Sequence, residues 1–252
     1  MRRSRHGLAS AVGLLTVLGG PADPTPSAVP WFPVVGGGIG VLLGALWWCL
    51  GRVLPAFVTG AAVLAADLAL TGLLHADGLV DAADGLLPHL DRSRRLEIMA
   101  EPTVGAFGIF VAGSVFGLRL AALASGGPPH LLGSVLLLGA LWTSSRAVMG
   151  IATAKLPYAR DSGMGTLYGG SPTPSTGSGR VALQIVALAA ALGALVAWKP
   201  VAALPVLAAV LLGAGAVLAL ALRRLGGYTG DVLGAAGVVG ETLGLVVAVA
   251  RW

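Results

Sequence analysis

HADGLVDAADGLL, residues 75–87, closes a long apolar run and carries three carboxylates, Asp77, Asp81 and Asp84. The spacing i, i+4, i+7 puts them within an arc of roughly 60° on one helix face, at about 100° per residue. Three bare carboxylates on one face repel one another, and protons or a cation must relieve the repulsion. A hard cation with oxygen ligands, Mg²⁺ above all, is the natural partner. The competing reading is an exposed acidic face, but such faces usually pair with Lys or Arg one turn on. No basic residue lies between His75 and Arg92, and only 11 of 252 residues are acidic. Three in eight positions is therefore a real concentration, and the metal reading is preferred.

The rest of the chain explains the apolar run. It is 56% hydrophobic and 11% charged, whereas a soluble domain has about 25% charged residues. This composition predicts an all-α, polytopic membrane protein of one domain, residues 1–252. Apolar runs of about 20 residues predict seven transmembrane helices, near 34–50, 56–74, 104–124, 131–153, 181–198, 202–222 and 231–250. Short interfacial helices complete the fold. The N-terminal segment, 1–33, has a basic start and a short apolar run, then PADPTPSAVPWFP. It resembles a signal peptide, but it reads better as a helix lying on the inner surface.

Charge placement orients the spans. With the N-terminus inside, eleven of the 16 Lys and Arg residues fall in inside segments and three outside; Arg119 and Arg146 lie within spans. That asymmetry follows the positive-inside rule. It predicts a multi-pass cell-membrane protein with its site facing the cytoplasm, because the inside loops carry nearly all the unusual polar residues. Nucleic acid is a poor explanation for basic residues so dispersed. Cys49 is the only cysteine, so an intrachain disulfide is impossible. GGGIG at 36–40 lacks the strand–turn–helix setting of a nucleotide loop and reads as a close helix contact. SGMGTLYGGSPTPSTGSGR at 162–180 is a loop by composition, either a cover for a ligand or a plain linker.

Several other polar residues need an account. Arg94 and Arg95 follow the acidic helix and are candidates to hold phosphate oxygens, against simple anchoring at the membrane surface; for Arg92 anchoring is preferred. Arg146, near the inner end of the fourth span, is costly there unless paired or hydrated. Binding a diphosphate is preferred over snorkelling to the headgroups. Lys155, Tyr158, Arg160 and Asp161 have the ingredients of an anion site. Asp231 opens the last span, where a capping role suffices. Glu241 lies ten residues into an apolar helix and calls for a buried partner or a ligand. His75 adjoins the acidic helix, where it would orient an aspartate or meet a headgroup. Asp67, inside the second span, has no evident partner in the sequence.

TGLLHADGLVDAADG at 71–85 resembles the signature of the cobalamin synthases, the adenosylcobinamide-GDP ribazoletransferases, whose pattern is close to T-G-x-x-H-x-D-G-x-x-D-x-x-D-G. Four further blocks agree in order: WFPVVG at 31–36, RRLEIMAEPTVGAFG at 94–108, YARDSGMG at 158–165 and GGYTGDVLGAAGVVGE at 226–241. The resemblance spans most of the chain. One departure is Glu101, where the family usually has Asp.

The resemblance implies a membrane-embedded, Mg²⁺-dependent enzyme that joins adenosylcobinamide-GDP to α-ribazole or its 5′-phosphate. The products are adenosylcobalamin, or its phosphate, and GMP. On this reading Asp77 and Asp81 hold Mg²⁺ on the diphosphate. Asp84 completes the metal site or accepts the hydroxyl proton, and His75 stands with it as the catalytic candidate. Arg94, Arg95, Arg146 and Arg160 are the candidate phosphate contacts. Asp231 and Glu241 complete a second metal site or grip the ribose.

Three rival readings fit the residues less well. CDP-alcohol phosphotransferases share the chemistry, but their D-G-x-x-A-R motif is not met after Asp77 and Gly78. A transporter would also use intramembrane carboxylates, yet no internal repeat is visible and the polar groups collect at one face. A scaffold role would leave the three aspartates idle.

Overall fold

Apolar runs and helix breakers together set the elements. The computed structural model describes residues 2–20, 25–126, 130–161 and 174–252. The glycine-rich stretch of the 162–180 loop, at 162–173, lies outside them. In chain order the helices are α1 (Arg2–Leu15), α2 (Phe32–Leu50), α3 (Ala56–Leu70), α4 (Leu74–Leu86) and α5 (Arg92–Ile98). There follow α6 (Ala106–Ser125), α7 (Leu131–Lys155), α8 (Pro174–Trp198), α9 (Pro200–Leu225) and α10 (Gly230–Ala248). A 3-10 turn, Val29–Trp31, leads into α2. Pro55 precedes α3, Pro200 opens α9, and Gly226, at φ 73°, ends α9 in the left-handed region that a side chain disfavours.

The protein is an all-α, polytopic membrane protein. Six helical stretches are long and apolar enough to cross a bilayer: Val29–Leu50, Ala106–Ser125, Leu131–Lys155, Ser178–Trp198, Pro200–Leu225 and Gly230–Ala248. Each matches an expected span. The run expected at 56–74 behaves differently. Its helix, α3, has 15 residues and then meets α4 at 90°. At 1.5 Å per residue α3 is only about 22 Å long. Among the described residues the count is thus six spans, or seven if the bent pair is one passage.

Gly72 and Leu73 make the bend, with φ of 58° and 62°. Glycine takes this conformation freely, whereas Leu73 takes it at a cost of about 1–2 kcal/mol. After the bend α4 lies along the end of the bundle where α6 and α10 begin. Its Gly78 touches Asp231 at the start of α10, and its Asp84 touches Gly105 at the start of α6. It is therefore a short helix laid across that end of the bundle.

Glycines draw the spans together. Gly36, Gly40 and Gly44 of α2 face Trp142, Leu138 and Ser134 of α7 so closely that a Cβ at any of them would come within 2.6 Å of backbone carbonyl oxygen or side-chain carbon there. The close helix contact expected of GGGIG is thus present, one helical turn per contact. Trp47, Trp142, Leu138 and Leu141 fill the interior, while Phe57, Phe110, Val186 and Leu212 face outward, as a lipid solvent permits. α1, too short to span, buries Ala11 and Leu15 against the bundle.

Candidate active site

The acidic helix grades from water to core. Asp77 is exposed, Asp81 half-buried and Asp84 buried. Asp84 is fully engaged: Oδ2 accepts from the Gly105 N–H at 2.8 Å and Oδ1 from the Gly108 N–H at 2.9 Å. These are orphan donors of the first turn of α6, whose own N-cap residue, Gly105, has no side chain to satisfy them. Asp84 therefore caps α6 from a different helix. The glycines of TVGAFG are part of that contact, since a Cβ at Gly105 or Gly108 would lie 2.4 or 2.5 Å from a carboxylate oxygen.

Asp77 and Asp81 are left bare. Neither carboxylate accepts a hydrogen bond among the described residues. Burial, then the charges of Asp77, Asp231 and Asp84, push Asp81 up to about 6, against the pull of Arg160. Asp231 joins this group through Gly78, which lets the α4 backbone rest on the first turn of α10. Thr229 caps α10 and also donates its hydroxyl to Asp231 at 3.2 Å.

Arg160 reaches the same carboxylate, with Nη2 at 3.5 Å from Asp231 Oδ2. A short tie between loops puts it there. Ala159 N–H donates to Tyr228 O at 2.8 Å, and Tyr228 N–H donates to Pro157 O at 3.0 Å. The two tyrosine rings stack edge to face at 5.4 Å. Arg92 fastens the tie by donating to Leu225 O and Ala159 O, an anchoring role within the fold.

A cavity of about 120 Å³, open at its mouth, lies beside these residues. Asp77 and Asp231 stand in its wall with Tyr228 and His75; Leu14, Leu15, Phe32 and Met149 supply the apolar part. His75 is buried, and among the described residues neither ring nitrogen has a partner. Burial, together with the charges of Arg146 and Arg119, holds its pKa well below the usual histidine range, so the ring is neutral at pH 7.

The other expected site residues lie elsewhere. Arg94 is exposed and pairs with Glu97 at 3.1 Å and with Glu101 at 3.0 Å. Arg95 is buried and donates to Gly85 O and Leu86 O, closing the end of α4. Arg146 and Glu241 form a buried ion pair, joined by Ser145, which donates to Glu241 Oε1 at 2.6 Å. Arg119 extends the group: it pairs with Glu241 at 2.9 Å and Asp67 at 2.8 Å, donates to Thr242 and Val238 O, and lies over the Trp142 ring. Trp142 Nε1 donates to Asp67 Oδ1 at 3.2 Å. This supplies the account that Asp67 lacked. The sequence does not single out Arg119 as that partner, although two acids and two arginines inside apolar spans sum to zero charge. That sum was the available signal.

Among the described residues, no three His, Cys, Asp or Glu side chains converge to enclose a metal on their own. Asp77, Asp81 and Asp231 offer oxygen donors that repel one another. That set suits a hard cation that shares its shell with water and phosphate, as Mg²⁺ usually does, and not a closed protein cage.

A family model described as cobalamin-5-phosphate synthase matches residues 7–249. The chain is 37% identical over 244 residues to the adenosylcobinamide-GDP ribazoletransferase of Chlorobium phaeovibrioides, covering 93% of each chain. It is 39% identical over 235 residues to the protein so named in Bradyrhizobium diazoefficiens, covering 91% of this chain and 85% of the other. No solved structure matches significantly.

Proposed function

The chain belongs to the cobalamin-5-phosphate synthase family, and from that membership we infer that it is an adenosylcobinamide-GDP ribazoletransferase. It transfers the adenosylcobinamide phosphate moiety of adenosylcobinamide-GDP to α-ribazole or its 5′-phosphate. A ribose hydroxyl oxygen bonds to the phosphorus next to the cobinamide linker. The bond from that phosphorus to the GMP oxygen breaks, and GMP leaves with the electron pair.

The observation that carries the site assignment is the pair Asp77 and Asp231 at the cavity wall, with Asp81 close enough to feel both charges and Arg160 against Asp231. Asp77 and Asp81, with Asp231 beside them, would hold Mg²⁺ where the diphosphate binds. Bound there, Mg²⁺ supplies charge neutralisation at the diphosphate oxygens. Arg160 swings from Asp231 to a phosphate oxygen, for which its guanidinium is suited. Asp84 and Arg95 hold α4 against α6 and α5, so the bare carboxylates stay aligned. Arg146 and Glu241 brace the helices behind them. The site opens to the cytoplasm of the cell membrane, on the side where the basic loops gather.

Purified protein in detergent, given adenosylcobinamide-GDP, α-ribazole and Mg²⁺, should release GMP. Full Mg²⁺-dependent release by Asp81→Ala would overturn the metal assignment. Activity with cytidine diphosphate derivatives in place of the guanosine substrate would overturn the substrate.

A further inference from the structure

The cavity at the acidic helix is divided chemically. Asp77 and Asp231 bring charge to its lining; most of the rest is apolar, with Leu14 and Leu15 of α1, Phe32 of α2 and Met149 of α7, and the hydroxyls there are those of Thr153 and Tyr228. Mg²⁺ and a diphosphate account for the carboxylates and leave the apolar part unexplained. His75 also lines the cavity; it is 4% exposed, and among the described residues neither ring nitrogen has a partner. A buried imidazole with no hydrogen bond is costly, and its partner is then a ligand. One nitrogen of a neutral ring donates and the other accepts.

Resting on the transferase reading above, we propose that this apolar recess holds the base of α-ribazole, with His75 donating to the free imine nitrogen of the benzimidazole. The chemistry selects this occupant among the groups the reaction brings. The dimethylated bicyclic base is flat and apolar, with one acceptor nitrogen and no other polar group. Guanine presents more donors and acceptors than this lining can satisfy, since beyond His75 and the carboxylates it offers only the hydroxyls of Tyr228 and Thr153, the latter already donating to Gly150 O. The corrin ring with its adenosyl group is far too large for a recess of about 120 Å³. A base seated here puts its ribose toward Asp77 and Asp231, where the attacking hydroxyl is needed. α1 is thereby a wall of the acceptor site as well as a surface helix.

The test is steady-state GMP release by the full chain with each substrate varied in turn. Wild-type protein should use the riboside of unmethylated benzimidazole with a KM about ten-fold higher, because two methyl groups leave an apolar pocket. Leu15→Trp, which fills the recess, should raise the α-ribazole KM about ten-fold or more and leave the KM for adenosylcobinamide-GDP within two-fold. The riboside of dimethylindole lacks the imine nitrogen. It should be a poor acceptor for wild type, and His75→Leu should no longer distinguish it from α-ribazole. Equal use of methylated and unmethylated ribosides by wild type would overturn the proposal, with no variant required. So would a Leu15→Trp effect confined to the adenosylcobinamide-GDP KM, or unaltered discrimination by His75→Leu. No GMP release by wild type with both natural substrates would instead sink the transferase reading itself.

Discussion

Gly78 rests on the main chain of Asp231: a Cβ added at Gly78 would lie 2.9 Å from the Asp231 carbonyl oxygen and 3.0 Å from its Cα. The contact joins the acidic helix to the start of α10, and it is what makes Asp231 a neighbour of Asp77 and Asp81. Backbone cannot yield as a flexible side chain would. Gly78→Ala must therefore push α4 away from α10. A displacement of about 1 Å at a reacting group can cost on the order of 100-fold in rate. Gly78→Ala should lower kcat for GMP release by one to two orders of magnitude, with a modest fall in Tm. A variant as active as wild type would show that Asp231 need not sit beside the helix.

The aspartates of one motif should divide into two classes. Asp84→Ala strands the Gly105 and Gly108 N–H groups at the head of α6. An unsatisfied buried donor costs about 1–3 kcal/mol. Thermal unfolding in detergent should register that loss clearly. Asp81→Asn removes a carboxylate that accepts no hydrogen bond among the described residues. It should leave Tm unchanged or raised and abolish Mg²⁺-dependent turnover. Equal destabilisation by the two substitutions would remove the distinction.

How far the residues alone revealed this arrangement depends on the range of the interactions. Six span boundaries were legible to within a few residues, because hydropathy and helix breakers act locally. The bend at Gly72 and Leu73 was not, since a leucine at positive φ carries no local signature. Asp77, Asp81 and Asp84 do share a helix face as their spacing requires. Their environments diverge only because α6 begins beside Asp84 and α10 beside Gly78, contacts made across 21 to 153 positions of sequence. Arg146 and Glu241 were recognised as charges needing partners. That they partner each other, through a group completed by Arg119 and Asp67, is a fact of helix packing.

That buried group yields a stability prediction. Glu241 receives Arg119, Arg146 and Ser145 together. Glu241→Gln leaves two arginines with one carboxylate inside the bundle. Breaking a buried pair by removing one partner costs about 3–5 kcal/mol. The variant should unfold at markedly lower temperature in detergent. Restoring neutrality with Arg146→Met in the same chain should recover part of the loss, a coupling that a double-mutant cycle measures. Simple additivity would show that the pair contributes no specific interaction.

Stability should also depend on pH through Asp81, with a sign opposite to that of most carboxylates. Its pKa is raised from 3.8 to about 6 by burial and by Asp77, Asp231 and Asp84. The folded state therefore holds the proton more tightly than the unfolded chain does. By linkage, that stabilisation is present at low pH and is lost as pH rises from about 4 to about 6. Without Mg²⁺, thermal stability should decline over this window as the carboxylates ionise against one another. Mg²⁺ should reverse the decline above pH 6, where the ionised group can bind it, and have little effect near pH 5. Asp81→Asn should flatten both the pH dependence and the Mg²⁺ response. Melting curves with and without Mg²⁺, on wild type and Asp81→Asn, read this without any substrate. A Mg²⁺ shift that persists undiminished in Asp81→Asn would place the cation away from the acidic helix.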